Sequence, residues 1–166
     1  MDKAISAQIK KAQSFAALHR GTSAFVIANP WDVGSARILK QLGFLALATT
    51  SSGFAMSLGR KDGTFSRNET LAHARQIVNA TSLPVSADLE NGFGNRPEDV
   101  AETILRAGQA GLVGGSIDDA SGFRQDPIYD VGLAVERITA AVETARSLPF
   151  DFTLVARAEN YLQGRL

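Results

Sequence analysis

The spacing of apolar positions changes repeatedly along the chain between helical and strand-like periods. Ile5, Ile9, Ala12, Phe15 and Leu18 recur three to four residues apart, which predicts an amphipathic first helix ended near Gly21. The run AFVIAN (24–29) predicts a short buried strand, and DVGSARILKQLG (32–43) a helix stopped by Gly43. FLALATT (44–50) predicts a second strand, followed by a polar, glycine-containing loop to about residue 65. Ser66 and Glu69 then form a capping-box signature that opens a helix over SRNETLAHARQIVNA. PVSADLE (84–90) is the third strand, and Pro97 stands as a first helical residue before EDVAETILRAGQAG. GGSID (114–118), VGLAVERITAAVETARSL (131–148) and FTLVARAE (152–159) complete the alternation as strand, helix and strand.

Near-continuous apolar strands alternating with amphipathic helices predict an α/β fold with a parallel sheet covered by helices. No low-complexity linker or change of composition divides the 166 residues, so they are expected to form a single domain. Five strands are too few to close a (β/α)8 barrel, which takes about 250 residues. Either the chain is the first five βα units of such a barrel, within a longer protein, or it is an open five-stranded sheet of flavodoxin type.

Composition narrows the function classes. Hydrophobic residues make up 45% and charged residues 20%, and the formal net charge is zero, so nothing points to nucleic acid or to an anionic membrane surface. No apolar run approaches the ~20 residues of a membrane span, and the N-terminal stretch lacks the apolar core of a signal peptide. Cysteine is absent, which removes disulfides, thiolate metal sites and thiol nucleophiles and fits a reducing, cytoplasmic setting.

The polar residues that interrupt the strands fall at their carboxyl ends: Ser51, Ser52 and Gly53 after the second, Asp88 and Glu90 on the third, Asp118 and Asp119 on the fourth, Arg157 and Glu159 on the fifth. In a parallel arrangement those ends share one rim, where α/β folds place their sites. Asp88 and Glu90, two apart on a strand, should share a face and lie ~6–7 Å apart, either as a solvated strand end or as a cation site. Carboxylates without neighbouring His or Cys suit a hard cation, Mg2+ or Mn2+. His19 and His73 fall within helices and read as surface or packing residues. Arg157 offers a planar fork for a carboxylate or phosphonate, and the SSGF turn offers backbone amides to an anionic oxygen. Together these describe a site for a small anionic oxo-acid. The segment FAMSLGRKDGTF (54–65), with two glycines and no regular pattern, is expected to be a mobile loop that closes over the rim. The GLVGGS glycines precede a strand rather than follow one, so they argue for a tight turn and not for a Rossmann cofactor site.

With those residues in place the sequence resembles the isocitrate lyase/phosphoenolpyruvate mutase superfamily over nearly its whole length. NPWDVGSARILKQLGF is similar to the family's first βα unit, and TSSGFAMSLGRKDG to its Ser-Gly substrate loop with an active-site aspartate, here Asp62. ADLENGFGN resembles its metal motif, GGSIDDA its Glu-Asp strand end, and LVARAEN its arginine strand. The resemblance implies a Mg2+-dependent barrel enzyme, a homo-oligomer (a tetramer), that makes or breaks C–C or P–C bonds beside an α-oxo carboxylate through an enolate-like species. Carried over residue by residue, it implies Arg157 and Asp62 as catalytic, Ser52, Gly53, Phe54 and Arg157 as substrate-binding, and Asp88, Glu90 and Asp118 as metal-binding.

The departures from the family pattern refine this expectation. Glu90 stands where the metal motif has a second Asp, and Asp118-Asp119 where the strand end has Glu-Asp. The lyase branch's Cys-Gly-His loop and the mutase branch's Lys-x-Asn are both missing from ASGFRQDPIYDVG. An oxaloacetate-decarboxylase-like C–C cleavage of an α-oxo or 2-hydroxy dicarboxylate is therefore expected. The alternatives are a phosphonate P–C enzyme and a non-catalytic assembly domain.

Overall fold

In the computed structural model, which describes residues 3–165, four parallel strands lie side by side in the order in which the chain makes them. They are β1 (Leu47–Ala48), β2 (Val85–Asp88), β3 (Gly114–Asp118) and β4 (Thr153–Arg157). Residues 24–29 do not form the strand expected there. They meet the sheet through one parallel bridge, Ala28 to Leu47, with the Ala48 amide donating to the Ala28 carbonyl at 3.0 Å. Five consecutive chain segments thus run parallel in strictly sequential order. A doubly wound sheet reverses its strand order once, and no reversal occurs here, so the flavodoxin-type alternative is excluded. The winding is that of a (β/α)8 barrel, of which these strands form part.

Among the described residues six helices accompany the strands: α1 (Lys3–His19), α2 (Val33–Gln41), α3 (Ser51–Ser57), α4 (Arg67–Ala80), α5 (Pro97–Gln109) and α6 (Val131–Ser147). None among the described residues is long and apolar enough to cross a membrane. The capping box is formed: the Glu69 amide donates to Ser66 Oγ at 3.3 Å and the Ser66 amide to Glu69 Oε2 at 2.9 Å. The main core joins Leu47, Val85, Leu89 and Ile117 of the sheet region to Ile77 of α4 and Ile104 of α5, all buried. Helix α1 builds a second cluster, in which Ala12 and Phe15 pack on Ala46 and Val113. Those two residues immediately precede β1 and β3, so α1 covers the amino ends of the strands and leaves the carboxyl ends to the site.

Helix α3 replaces the first part of the expected loop. Two serines and a glycine give SSGFAMS poor intrinsic helix propensity, so tertiary contacts decide. Thr50 caps it, accepting from the Gly53 amide at 3.4 Å. Phe54 stacks on the His73 ring at 3.8 Å and on Phe65 at 4.3 Å between centroids. His73 is accordingly a packing residue, its Nε2 2.8 Å from the Trp31 carbonyl oxygen. Beyond α3, Arg60 fastens the following turn: its guanidinium lies 3.9 Å from the Phe65 ring centre and bonds Glu69 and the Thr64 carbonyl, each at 2.7 Å.

Candidate active site

A cavity of about 880 Å3 opens at the carboxyl ends of the strands, and Ser52, Asp62, Asp88, Glu90, Asp118 and Arg157 all line it. The stagger of the sheet brings them there. Asp88, the last residue of β2, is level with Ser116, while Asp118 two residues on is level with Arg157 of β4. Asp88 Oδ2 accepts from the Ser51 amide at 3.1 Å, which ties β2 to the start of α3. Its Oδ1 accepts from the Glu90 amide at 3.1 Å, an Asx turn that bends the chain at the strand end. Glu90 therefore leaves the strand in a left-handed conformation, φ 49°. Asp88 reaches the cavity from the end of the strand and Glu90 through this turn, not by strand alternation, because the strand ends at Asp88. A non-glycine residue in that backbone region costs roughly 1 kcal/mol or more and marks a position held by its surroundings.

The electrostatics of the rim are strained. Burial, then the neighbouring charges of Asp88 and Asp62, push the Glu90 carboxyl up to about 7. Burial likewise pushes Asp118 up to about 7, against the opposing pull of Arg157 and with help from Asp88, Glu159 and Glu90. Arg157 faces Asp118 Oδ2 at 3.8 Å and forms a closer pair with Glu159. The Asp119 carboxylate accepts from the Glu159 amide at 2.8 Å, which secures the end of β4.

Two expected substrate contacts lie elsewhere. Gly53 and Phe54 do not line the cavity. A Cβ on Gly53 would stand 2.7 Å from Thr50 Cγ2 and closer still to the Trp31 ring, so this glycine serves helix packing. The Phe54 ring is taken up by His73 and Phe65. Nor is the SSGF segment a free amide nest: the Ser51, Gly53 and Phe54 amides already donate to Asp88, to Thr50 Oγ1 and to the Thr50 carbonyl.

The expected metal trio is also not a ready cage. Among the described residues no three His, Cys, Asp or Glu side chains are gathered closely enough to hold a metal ion. The amides of Ser51 and Glu90 engage Asp88 and Arg157 engages Asp118, which holds these carboxylates to separate partners. The donor set nonetheless fits a hard cation. Glu90 Oε1 and Asp118 Oδ1 are buried without a hydrogen-bond partner in the protein, and a buried carboxylate oxygen in that condition calls for a proton, an ordered water or a cation. Mg2+ keeps most of its waters and needs one or two carboxylates directly, so it does not require a closed protein cage.

Four further residues belong to the site's framework and had no place in the sequence reading. Thr49 Oγ1 accepts from the Asp88 amide at 3.2 Å. Asn91, Tyr129 and Arg137 knit the turn after Glu90 to α6. Arg137 carried a legible signal, because it shares a helix face with the buried Ala141 and Ala145. A charge on an apolar stripe requires a buried partner.

Residues 15–166 match the family model described as phosphoenolpyruvate phosphomutase. The chain belongs to that family. A structure from Burkholderia cenocepacia J2315, given the broad label lyase/mutase, shares 57% identity and a TM-score of 0.95, over 96% of this chain and 57% of that one. The 2,3-dimethylmalate lyase of Eubacterium barkeri is 33% identical over 136 residues, 77% of this chain and 46% of that protein. Phosphonopyruvate hydrolase, solved with oxalate and Mg2+, superposes with a TM-score of 0.84 at 25% identity, over 93% of this chain and 55% of that one. The chain spans about half the length of the curated relatives it matches. This phosphoenolpyruvate phosphomutase family and the wider isocitrate lyase superfamily are enzymes, and the resemblance to that superfamily is thereby established.

Proposed function

We propose that this chain carries the catalytic rim of a Mg2+- or Mn2+-dependent lyase that cleaves a C–C bond in a small α-oxo or 2-hydroxy dicarboxylate through an enolate-like species. The observation that supports it most is the pair of orphaned, buried carboxylate oxygens on Glu90 and Asp118 in a cavity that also presents Arg157. Asp88, Glu90 and Asp118 would hold the cation, directly or through water. Such a cation supplies Lewis-acid stabilisation of negative charge developing on the oxo oxygen.

The chain's own groups account for the rest. The Arg157 guanidinium, spread between Asp118 and Glu159, presents a fork to a substrate carboxylate and holds it in register with the oxo group. Asp62, which follows α3 and lines the cavity, would orient the leaving end of the substrate. For an oxaloacetate-like substrate, breaking the bond to the distal carboxylate releases carbon dioxide and leaves the electron pair on the enolate of pyruvate. That enolate then takes a proton on carbon. The segment after β3, ASGFRQDPIYDVG, holds no cysteine, which separates this reading from a lyase whose thiol acid stands at that place.

A second reading, P–C bond chemistry on a phosphonate, draws on the matched phosphomutase model and on the phosphonopyruvate hydrolase neighbour. One experiment distinguishes the two. The full-length protein with Mg2+ is given oxaloacetate, 2-hydroxy dicarboxylates and phosphonopyruvate in parallel, and products are followed by NMR. Mg2+-dependent pyruvate formation from an oxo-dicarboxylate supports C–C cleavage, whereas phosphate release from phosphonopyruvate alone supports the second reading. Turnover of none of them, with no Mn2+ binding that Asp88→Ala abolishes, leaves an assembly domain.

A further inference from the structure

Arg137 is the largest fully buried side chain among the described residues, only 1% exposed. It reaches out from α6 to a different part of the chain. One nitrogen donates to the Gly94 carbonyl at 2.7 Å and another to the Asn91 carbonyl. Its guanidinium carbon lies 4.2 Å from the centre of the Tyr129 ring. The Tyr129 hydroxyl in turn donates to Asn95 Oδ1 at 2.7 Å and accepts from Asn91 Nδ2 at 3.1 Å. Two side chains therefore grip both ends of the turn 91–95.

That turn is the one that follows Glu90. Glu90, Gly92 and Phe93 all have positive φ, at 49°, 80° and 60°. Three such residues within four positions leave carbonyls that no regular ladder satisfies. For packing α6 alone, an apolar side chain would do as well as a buried guanidinium, without the cost of desolvating a charge. What only the planar fork supplies is simultaneous donation to two carbonyls in a fixed geometry. Tyr129 extends the grip to the residue that follows β3. Its amide donates to the Asp119 carbonyl at 2.9 Å, and Asp119 holds the Glu159 amide.

We infer that Arg137, braced by Tyr129, is a positioning residue for the ion-binding rim: it locks the 91–95 turn so that Glu90 keeps its left-handed backbone and presents its carboxylate beside Asp88. The inference rests on the metal-site reading above. Residues that orient metal ligands from behind them typically contribute ~10–100-fold to ion affinity.

The test compares wild type, Arg137→Lys and Tyr129→Phe in the full-length protein. Mn2+ binding is measured by calorimetry in the presence of oxalate, and thermal unfolding is measured alongside it. Arg137→Lys keeps the charge and loses the fork, and it should weaken Mn2+ binding at least about tenfold. Tyr129→Phe loses only the hydroxyl and its two hydrogen bonds, and it should weaken binding several-fold while the melting temperature moves little, which keeps the inference testable if Arg137→Lys does not fold. Melting temperatures that fall while Mn2+ affinity stays at the wild-type value would make both residues merely structural and overturn the inference. A wild type that itself binds no Mn2+ overturns the metal-site reading, and this inference with it.

Discussion

At the scale of single residues, Arg157 and the two raised carboxyls govern what the rim can do. Arg157 is partly exposed and its partners are acidic, so replacing it by lysine leaves packing intact and keeps the charge while removing the fork. Arg157→Lys is expected to lower kcat/KM at least about tenfold, ~1.4 kcal/mol, in steady-state kinetics, with the melting temperature little changed. Glu90 and Asp118 set a pH dependence. Their carboxyls rise from ordinary values of 4.5 and 3.8 to about 7 on folding. The folded protein therefore binds more protons than the unfolded chain between those values. Stability is fully present below the unfolded values and declines as pH rises towards 7. A divalent ion that takes the ionised oxygens should oppose this decline. Thermal melts at pH 5 and pH 8, with and without Mn2+, are expected to show a lower midpoint at pH 8 that the ion selectively restores.

At the scale of elements, α3 is the place where sequence and structure part most clearly. Strand-end chemistry at Asp88, Glu90, Asp118 and Arg157 was legible because carboxylates and an arginine terminating apolar strands break the local pattern. The capping box of α4 and the proline opening α5 were legible for the same local reason. The α3 helix was not, since Ser51, Ser52 and Gly53 read as loop and the forces that fold them come from Trp31, Phe65 and His73, far along the chain. The 24–29 segment erred in the opposite direction: its β-formers suit a strand, yet pairing is limited to the Ala28 bridge. The role of Gly53 gives a direct check. Gly53→Ala places a methyl group against the Trp31 ring and Thr50 Cγ2. It should destabilise the protein by about 1–3 kcal/mol in denaturant unfolding, as overpacking does. A glycine needed for substrate contact and not for packing would leave stability unchanged.

At the scale of the whole molecule, the two ends of the sheet have separate duties. The amino ends of the strands are closed by α1, with Phe15 packed between Ala46, Val113 and the bare backbone of Gly114. A Cβ on Gly114 would lie 2.8 Å from the Phe15 ring, so the fit leaves no slack. Phe15→Ala is expected to cost about 3–5 kcal/mol in urea unfolding, while Mn2+ affinity of the protein that remains folded stays at the wild-type value. Loss of ion binding in proportion to stability would mean that the two ends are not independent. The alternation of elements foretold a parallel sheet but left its strand order open between a barrel and a flavodoxin-type sheet, and the assignment of α1 to the amino end was not legible either, because an amphipathic helix alone does not say which surface it will cover.

The lining of the cavity brings five carboxylates, Asp62, Asp88, Glu90, Asp118 and Glu159, against three guanidinium groups, two of which are already paired with Glu102. An anionic ligand approaching such a rim meets net repulsion, and Arg157 alone does not reverse it. Its affinity is therefore conditional on positive charge arriving first, as protons or as a cation. By thermodynamic reciprocity, whatever the cation contributes to holding the anion, the anion returns to the cation. On the proposed reading the rim would be an interlock, with neither component held firmly until both are present.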